Sequence, residues 1–239
     1  VEKMEMHLES RLSSKIETAS QLLEEAASQH APAVFSSSYG LEDMVIGDLI
    51  AKGALPIEIA TLDTGRLFEE TYAVMQAAKK RYPQLHFTIV FPDATDVEPF
   101  VNAHGPNAFY QSKALRQQCC DIRKVKPLQR LLAGKKSWIT GIRRQQSVTR
   151  KDTPFKAFDA DHNVWKFNPL ADWSYEEIWH YIRQNEVPYN ALHDKGYPSV
   201  GCASCTRPIA VGEDDRAGRW WWEEPEAREC GLHVQQRGG

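Results

Sequence analysis

Apolar residues recur along this chain with two different periods. Over residues 6–28, Met6, Leu12, Ile16, Leu22, Leu23 and Ala26 return at roughly helical spacing, which predicts a leading helix. Short apolar runs then predict strands at 33–35, 57–62, 86–90, 137–140 and 164–167. Between them, longer amphipathic stretches predict helices at 41–50, with Gly53 near the end, at 67–81, and at 112–133, where Pro127 interrupts. Asp172 or Ser174 caps a further helix that runs to Arg183, and Glu176 and Glu177 complement its positive end. Strands alternating with helices predict an α/β fold: a mostly parallel sheet with helices on both faces. From Gly212 the composition shifts to arginines, glutamates and Trp220-Trp221-Trp222, and the pattern lapses. The expected organisation is one α/β domain over 1–211 and an irregular C-terminal tail, or lid, over 212–239.

Composition narrows the functional classes. The 239 residues are 42% hydrophobic, enough to bury a core, and the net charge of −3 offers no general attraction to nucleic acid. No apolar run reaches the ~18 residues of a membrane span. The first thirty residues read as amphipathic helix rather than as an export signal, so a cytoplasmic location is expected. Five cysteines in a chain of this size do not make a disulfide scaffold, and in a reducing compartment they bind metal or react.

Three strand ends carry polar groups. After the first strand, Ser36-Ser37-Ser38-Tyr39-Gly40 supplies hydroxyls and backbone N–H groups at a helix start, the ingredients of an anion-binding turn. The loop has neither the lysine of a Walker A motif nor a G-x-G-x-x-G fingerprint. Taken alone, it also reads as an ordinary strand–helix turn. The second strand ends in Leu62-Asp63-Thr64-Gly65. The strand at 137–140 leads into Gly141-Ile142-Arg143-Arg144, whose arginines can clamp a phosphate or sulfate. Ligands bind at this edge of an open α/β sheet.

The cysteines fall into two local pairs and a singleton. Cys119 and Cys120 are adjacent, Cys202 and Cys205 form a C-x-x-C, and Cys230 stands alone near the end. Four thiolates in two pairs suit either a tetrahedral zinc or an iron–sulfur cluster, and spacing alone does not choose between them. Buried apolar cysteines are a further reading of the first pair. Neighbouring residues on a regular helix do not face the same way, so a centre bound by both Cys119 and Cys120 requires a local distortion. The leftover cysteine suits a nucleophile. The eight histidines show no ligand spacing and, His233 apart, read as ordinary surface or core residues.

Taken together, these stretches resemble the sulfonucleotide reductases, most closely the iron–sulfur adenosine 5′-phosphosulfate (APS) reductases of sulfate assimilation. The likeness is carried by Ser36 to Asp43, Leu62 to Gly65, Cys119-Cys120-x-x-Arg123-Lys124-x-x-Pro127, Thr140 to Ser147 and Asn168-Pro169-Leu170-x-Asp172-Trp173. It continues through Pro188-Tyr189-Asn190-x-Leu192-His193, Gly196 to Thr206, Arg216-x-x-Arg219-Trp220-Trp221-Trp222-Glu223 and Glu229-Cys230-Gly231-Leu232-His233. The resemblance implies a Rossmann-like fold of the adenine-nucleotide α-hydrolase type. It implies APS as substrate, a [4Fe–4S] cluster on Cys119, Cys120, Cys202 and Cys205, and Cys230 as nucleophile. Lys124 is then a cation between cluster and substrate. Ser36, Ser37, Ser38, Gly40, Leu62, Asp63, Arg143, Arg144, Arg216, Arg219 and His233 are expected to contact the substrate. Reduced thioredoxin, or a glutaredoxin-like dithiol, is the expected partner, and a homo-oligomer is compatible with the sequence. Rival expectations are a reductase of the 3′-phosphorylated substrate (PAPS) or of both, an ATP-dependent thiolation or amidation enzyme, and a non-catalytic zinc-binding module.

Overall fold

The structure is a computed structural model that describes residues 2–224 and 231–232. A long helix, α1 (Glu2–Gln29), opens the chain, and its Leu12, Ala19, Leu23 and Ala26 form a buried stripe at helical spacing. There follow β1 (Ala33–Ser36), α2 (Leu41–Lys52), β2 (Ile57–Leu62), α3 (Glu69–Arg81) and β3 (Phe87–Val90). Next come α4 (Ala94–His104), α5 (Lys113–Cys120), α6 (Lys126–Leu132), β4 (Ser137–Ile139), β5 (Lys156–Asp159), β6 (Val164–Phe167) and α7 (Tyr175–Gln184). The predicted strands and helices all have counterparts, most with ends moved by a residue or two; the leading helix starts four residues earlier, and the stretch 112–133 forms α5 and α6 with an irregular turn between them. Two elements, α4 and β5, were not expected from the sequence pattern.

The six strands form one sheet in the order β3-β2-β1-β4-β6-β5. Every pair is parallel except β5 with β6. Strand alternation divides the core in two. Phe35, Ile57, Ile59, Ile139 and Phe167 pack with residues of α1, α2, α3 and α7, whereas Val34, Ala60, Trp138 and Val164 pack with Leu128, Leu131 and Leu132 of α6. The chain winds outward in both directions from β1 and β4. Their carboxyl ends are therefore the topological switch point, where such sheets open a crevice.

Ser174 caps α7 in a reciprocal box: its Oγ accepts from the Glu177 N–H at 3.2 Å while Glu177 Oε2 accepts from the Ser174 N–H at 2.7 Å. Between α5 and α6 the helix does not continue regularly. Asp121–Val125 is a π-helical turn placed directly after the adjacent cysteines. The sequence put the interruption at Pro127, which instead sits in the first turn of α6. The proline ring would crowd the carbonyl four residues back in a regular helix. The wider turn just before it relieves that crowding, so the break falls one turn earlier. From 206 to 224, the described residues are turns and bends with one β-bridge, Thr206 to Arg219.

Candidate functional site

The carboxyl ends of β1, β2 and β4 open into one cavity of about 220 Å³. Ser36, Ser37, Ser38 and Gly40 line it after β1, Thr61, Leu62 and Thr64 at β2, and Thr140, Gly141, Ile142 and Arg143 after β4. The first loop is held by α2. The Asp43 carboxylate accepts from the Ser38 N–H at 2.6 Å and from Ser38 Oγ at 2.8 Å. The Trp138 Nε1–H donates to Ser36 Oγ at 2.7 Å. Tyr39 takes a left-handed φ of 59°, turning the chain sharply into the helix. A Cβ at Gly141 would collide with the Asp43 carboxylate, so this close approach of β4's loop to α2 requires glycine.

Two neighbouring carboxyls behave oppositely. Burial pushes the Asp43 pKa up to about 7, against the two Ser38 hydrogen bonds, and the neighbouring Glu42 charge adds to the rise. Burial also works to raise Glu42, but the Arg143 guanidinium outweighs it and holds Glu42 below the usual carboxylate range. Arg143 Nε donates to Glu42 Oε1 at 2.7 Å, and its Nη1 donates to the Trp173 carbonyl at 3.3 Å.

The expected substrate contacts separate here. Arg143 faces the cavity, along with Lys124, Arg216 and Arg219. Arg144 does not line it: its Nε donates to the Thr153 carbonyl at 2.8 Å and its guanidinium stacks over Phe155. Asp63 also lies behind the lining, accepting from the Gly65 N–H at 2.8 Å and the Tyr72 hydroxyl at 3.1 Å, and so shapes its turn. Arg219 is fixed over the Trp220 ring at 4.7 Å and against Gly201, where a Cβ would strike the guanidinium. Cys230 and His233 fall outside the described residues. The next residue after Cys230, Gly231, lies near Val125, and Leu232 lines the cavity.

A second, smaller cavity adjoins the first. Cys119, Cys120, Cys202 and Cys205, all buried and none in a disulfide, line it together. Arg66, Arg116, Arg123 and Lys124 share its wall. Burial pushes the Cys119 and Cys205 thiols up. At Cys202 burial works the same way, but Lys124, a 3.2 Å contact with Thr64 Oγ1, Arg219 and Arg123 together bring its pKa down. The donors are soft thiols and the wall is cationic, a setting suited to a thiolate-rich anionic centre. Among the described residues no three His, Cys, Asp or Glu side chains form a group able to hold a metal ion. Lys124, Cys202 and Trp220 line both cavities and form the partition between them.

Several residues of the first cavity were not expected from the sequence: Glu42, Gln146, Arg150, His193, Asp215 and Trp220. His193 lay within a quoted motif, yet an isolated histidine carries no ligand spacing that would have singled it out.

A sheet with a crevice at its switch point, and four thiols behind it, defines a nucleotide-type α/β fold with a sulfur-rich centre. Residues 32–208 match the phosphoadenosine phosphosulfate reductase domain. An adenosine 5′-phosphosulfate reductase of Allochromatium vinosum is 49% identical over 230 residues, covering 96% of this chain and 88% of that protein. Phosphoadenylyl-sulfate (PAPS) reductase from Candida auris, solved with phosphate, superposes with a TM-score of 0.66 at 28% identity, covering 83% of this chain and 95% of that one. The FMN adenylyltransferase of Candida glabrata, at 15% identity and a TM-score of 0.59 over 93% of this chain and 76% of that one, shares the fold alone. The chain belongs to the phosphoadenosine phosphosulfate reductase domain family. It is an oxidoreductase with the adenine-nucleotide α-hydrolase type of fold. Among the described residues no helix is long and apolar enough to cross a membrane.

Proposed function

We propose that this protein reduces APS to sulfite and AMP in the cytoplasm, as a step of sulfate assimilation, with reduced thioredoxin or a glutaredoxin-like dithiol as the electron donor. The observation that carries this reading is the shared partition: Lys124 and Cys202 belong at once to the nucleotide-type cavity and to the four-thiol cavity. An anionic phosphosulfate seated against Lys124, Arg216 and Arg219 would lie directly beside the cysteine centre.

The four thiols surround one cavity whose wall also carries Arg66, Arg116, Arg123 and Lys124, a donor set and a charge that suit an anionic [4Fe–4S] cluster, in which each cysteine has its own iron. The helix carrying Cys119 and Cys120 gives way to a π-helical turn directly after the pair, an irregularity of the kind that often accompanies functional sites. Cys119, Cys120, Cys202 and Cys205 would hold the cluster, which supplies structural support and a fixed local charge.

The chemistry runs through this chain's own thiol. Cys230, as thiolate, attacks the sulfur of the sulfate group; an S–S bond forms, the S–O bond to phosphate breaks, and AMP leaves with the electron pair. Lys124 and the arginines stabilise the charge that develops on the departing phosphate. Cys230 is left as S-sulfocysteine. A donor thiolate then attacks the Cys230 sulfur, sulfite leaves with the bonding pair, and the donor's second thiol closes a disulfide and frees Cys230. The donor dithiol thus supplies both electrons. That Leu232 lines the cavity supports a tail that delivers its cysteine there.

The test is mass spectrometry of the tail peptide after incubation with APS and no dithiol. A gain of about 80 Da, the mass of SO₃, is expected on Cys230, as for a covalent intermediate. Reduced thioredoxin should discharge it as sulfite. An adduct on another cysteine, or normal turnover by Cys230→Ser, overturns the mechanism.

A further inference from the structure

His193 sits on a short helical turn, Ala191–Lys195, that is pinned on two sides. Asn190, fully buried at the start of that turn, accepts from the Leu192 N–H at 3.0 Å and donates to Thr71 Oγ1 on α3 at 3.1 Å. Trp179 of α7 meets the His193 ring edge-on, at 89° and 6.3 Å between centroids. His193 is 9% exposed and lines the main cavity. Neither of its ring nitrogens finds a hydrogen-bond partner. Buried polar atoms are almost always satisfied, and a rigidly held exception that faces a cavity is poised for a ligand.

Lys124 and Arg219 act on Cys202 and so mark the cysteine side of the cavity, where an anion belongs. His193 lines the same cavity, and its ring feels the charge of Glu42, the partner of Arg143. Burial is the main influence on His193 and keeps the ring neutral, with one N–H donor and one bare nitrogen acceptor. Whichever nitrogen faces the ligand, a hydroxyl can meet it, because a hydroxyl both donates and accepts. The two nitrogens point away from one another across the ring, so they cannot grip a base edge side by side.

We propose that His193 is a positioning residue for the nucleoside, hydrogen-bonding a ribose hydroxyl while the phosphosulfate reaches toward Lys124. This rests on the nucleotide reading given under the proposed function.

Calorimetric titration of the intact, cluster-bearing protein with AMP, 2′-deoxy-AMP and 3′-deoxy-AMP tests it. His193→Ala should weaken AMP binding about tenfold, the loss of one hydrogen bond to a buried group. One of the two deoxy nucleotides should bind wild type about as weakly and lose nothing further in the variant. His193→Gln, which keeps a donor and an acceptor, should recover part of the affinity, and it decides the matter if the alanine variant melts early. Unchanged AMP affinity in His193→Ala overturns the proposal, as does an equal loss on all three ligands or a glutamine variant no better than alanine. A wild-type protein that binds none of the three overturns the nucleotide reading itself, a distinct outcome from the failure of His193 alone.

Discussion

Arg116 of α5 and Glu223 of the C-terminal segment form a two-pronged ion pair, Nε to Oε1 at 2.8 Å and Nη2 to Oε2 at 2.6 Å, with both side chains buried. The guanidinium also stacks over Trp220 at 5.0 Å and acts on Cys120. The pair therefore ties the segment that carries Trp220 to the wall of the cysteine cavity. The backbone N–H of Trp220 reinforces this by donating to the Cys205 carbonyl at 3.2 Å.

Glu223→Ala should destabilise the protein by about 3 kcal/mol, because it leaves a buried guanidinium without its carboxylate rather than merely deleting a contact. Chemical denaturation of wild type and variant measures this. The loss should shrink in Arg116→Met/Glu223→Leu, which removes both charges. A double variant as unstable as Glu223→Ala would show that charge pairing is not the cause.

Asp43 gives the stability a pH signature. Its folded pKa of about 7 lies above the ordinary aspartate value, because burial favours the neutral acid. A raised pKa stabilises the fold fully below the unfolded value and loses that contribution as pH rises through the folded one. The window is therefore pH 4 to 7. Between pH 5.5 and pH 8 wild type should lose about 2 kcal/mol that Asp43→Asn does not lose, at about 1.4 kcal/mol per pH unit. Urea melts at both pH values should show Asn gaining on Asp at the higher one. Parallel pH profiles would refute the assignment.

Arg143 and Arg144 should behave unlike each other despite being neighbours. Arg143→Ala leaves Glu42 buried without its partner, so it should lower stability by about 3 kcal/mol and weaken AMP binding. Arg144→Ala gives up one bond to the Thr153 carbonyl and a ring contact, and should cost about 1 kcal/mol with AMP affinity unchanged. Thermal melts with AMP titrations separate the two. Equal effects on AMP would contradict the placement of Arg144 outside the cavity.

How far the sequence led differs by element, for physical reasons. The central strands were legible because β1 and β4 are short, mostly apolar runs buried on both faces, and β2 carries Ile57, Ile59 and Ala60 into the core. Helix α4 was not, because Pro99 lies inside it and its start is announced only by Asp93, whose carboxylate caps Thr95 at 2.9 Å. Strand β5 is an antiparallel edge of four residues with no fully buried side chain, so it carries no hydrophobic signature. Within the site, the serine loop and the paired cysteines stood out by type and spacing, whereas Lys124 was singled out mainly by the family resemblance. The roles of Glu42, Asp215 and His193 depend on which strand ends become neighbours, and the order of strands in a sheet is not written in any one segment.

Lys124 is the side chain whose replacement should separate binding from structure. It lines both cavities, its Nζ stands 5.9 Å from the centre of the Trp220 ring, and its charge lowers the Cys202 pKa. A cation at this partition contributes most when negative charge accumulates on the leaving phosphate, so its removal should fall on kcat more than on KM. Lys124→Ala should reduce kcat/KM for APS by about 100-fold, near 3 kcal/mol, with iron and sulfide content unchanged. Lys124→Arg, which keeps the charge but not the compact ammonium, should recover only part of the loss. Steady-state sulfite release and iron analysis on the same preparations measure both effects. A variant that loses its iron along with its activity would make Lys124 a support for the cysteine centre, and one with only KM raised would make it a ground-state contact.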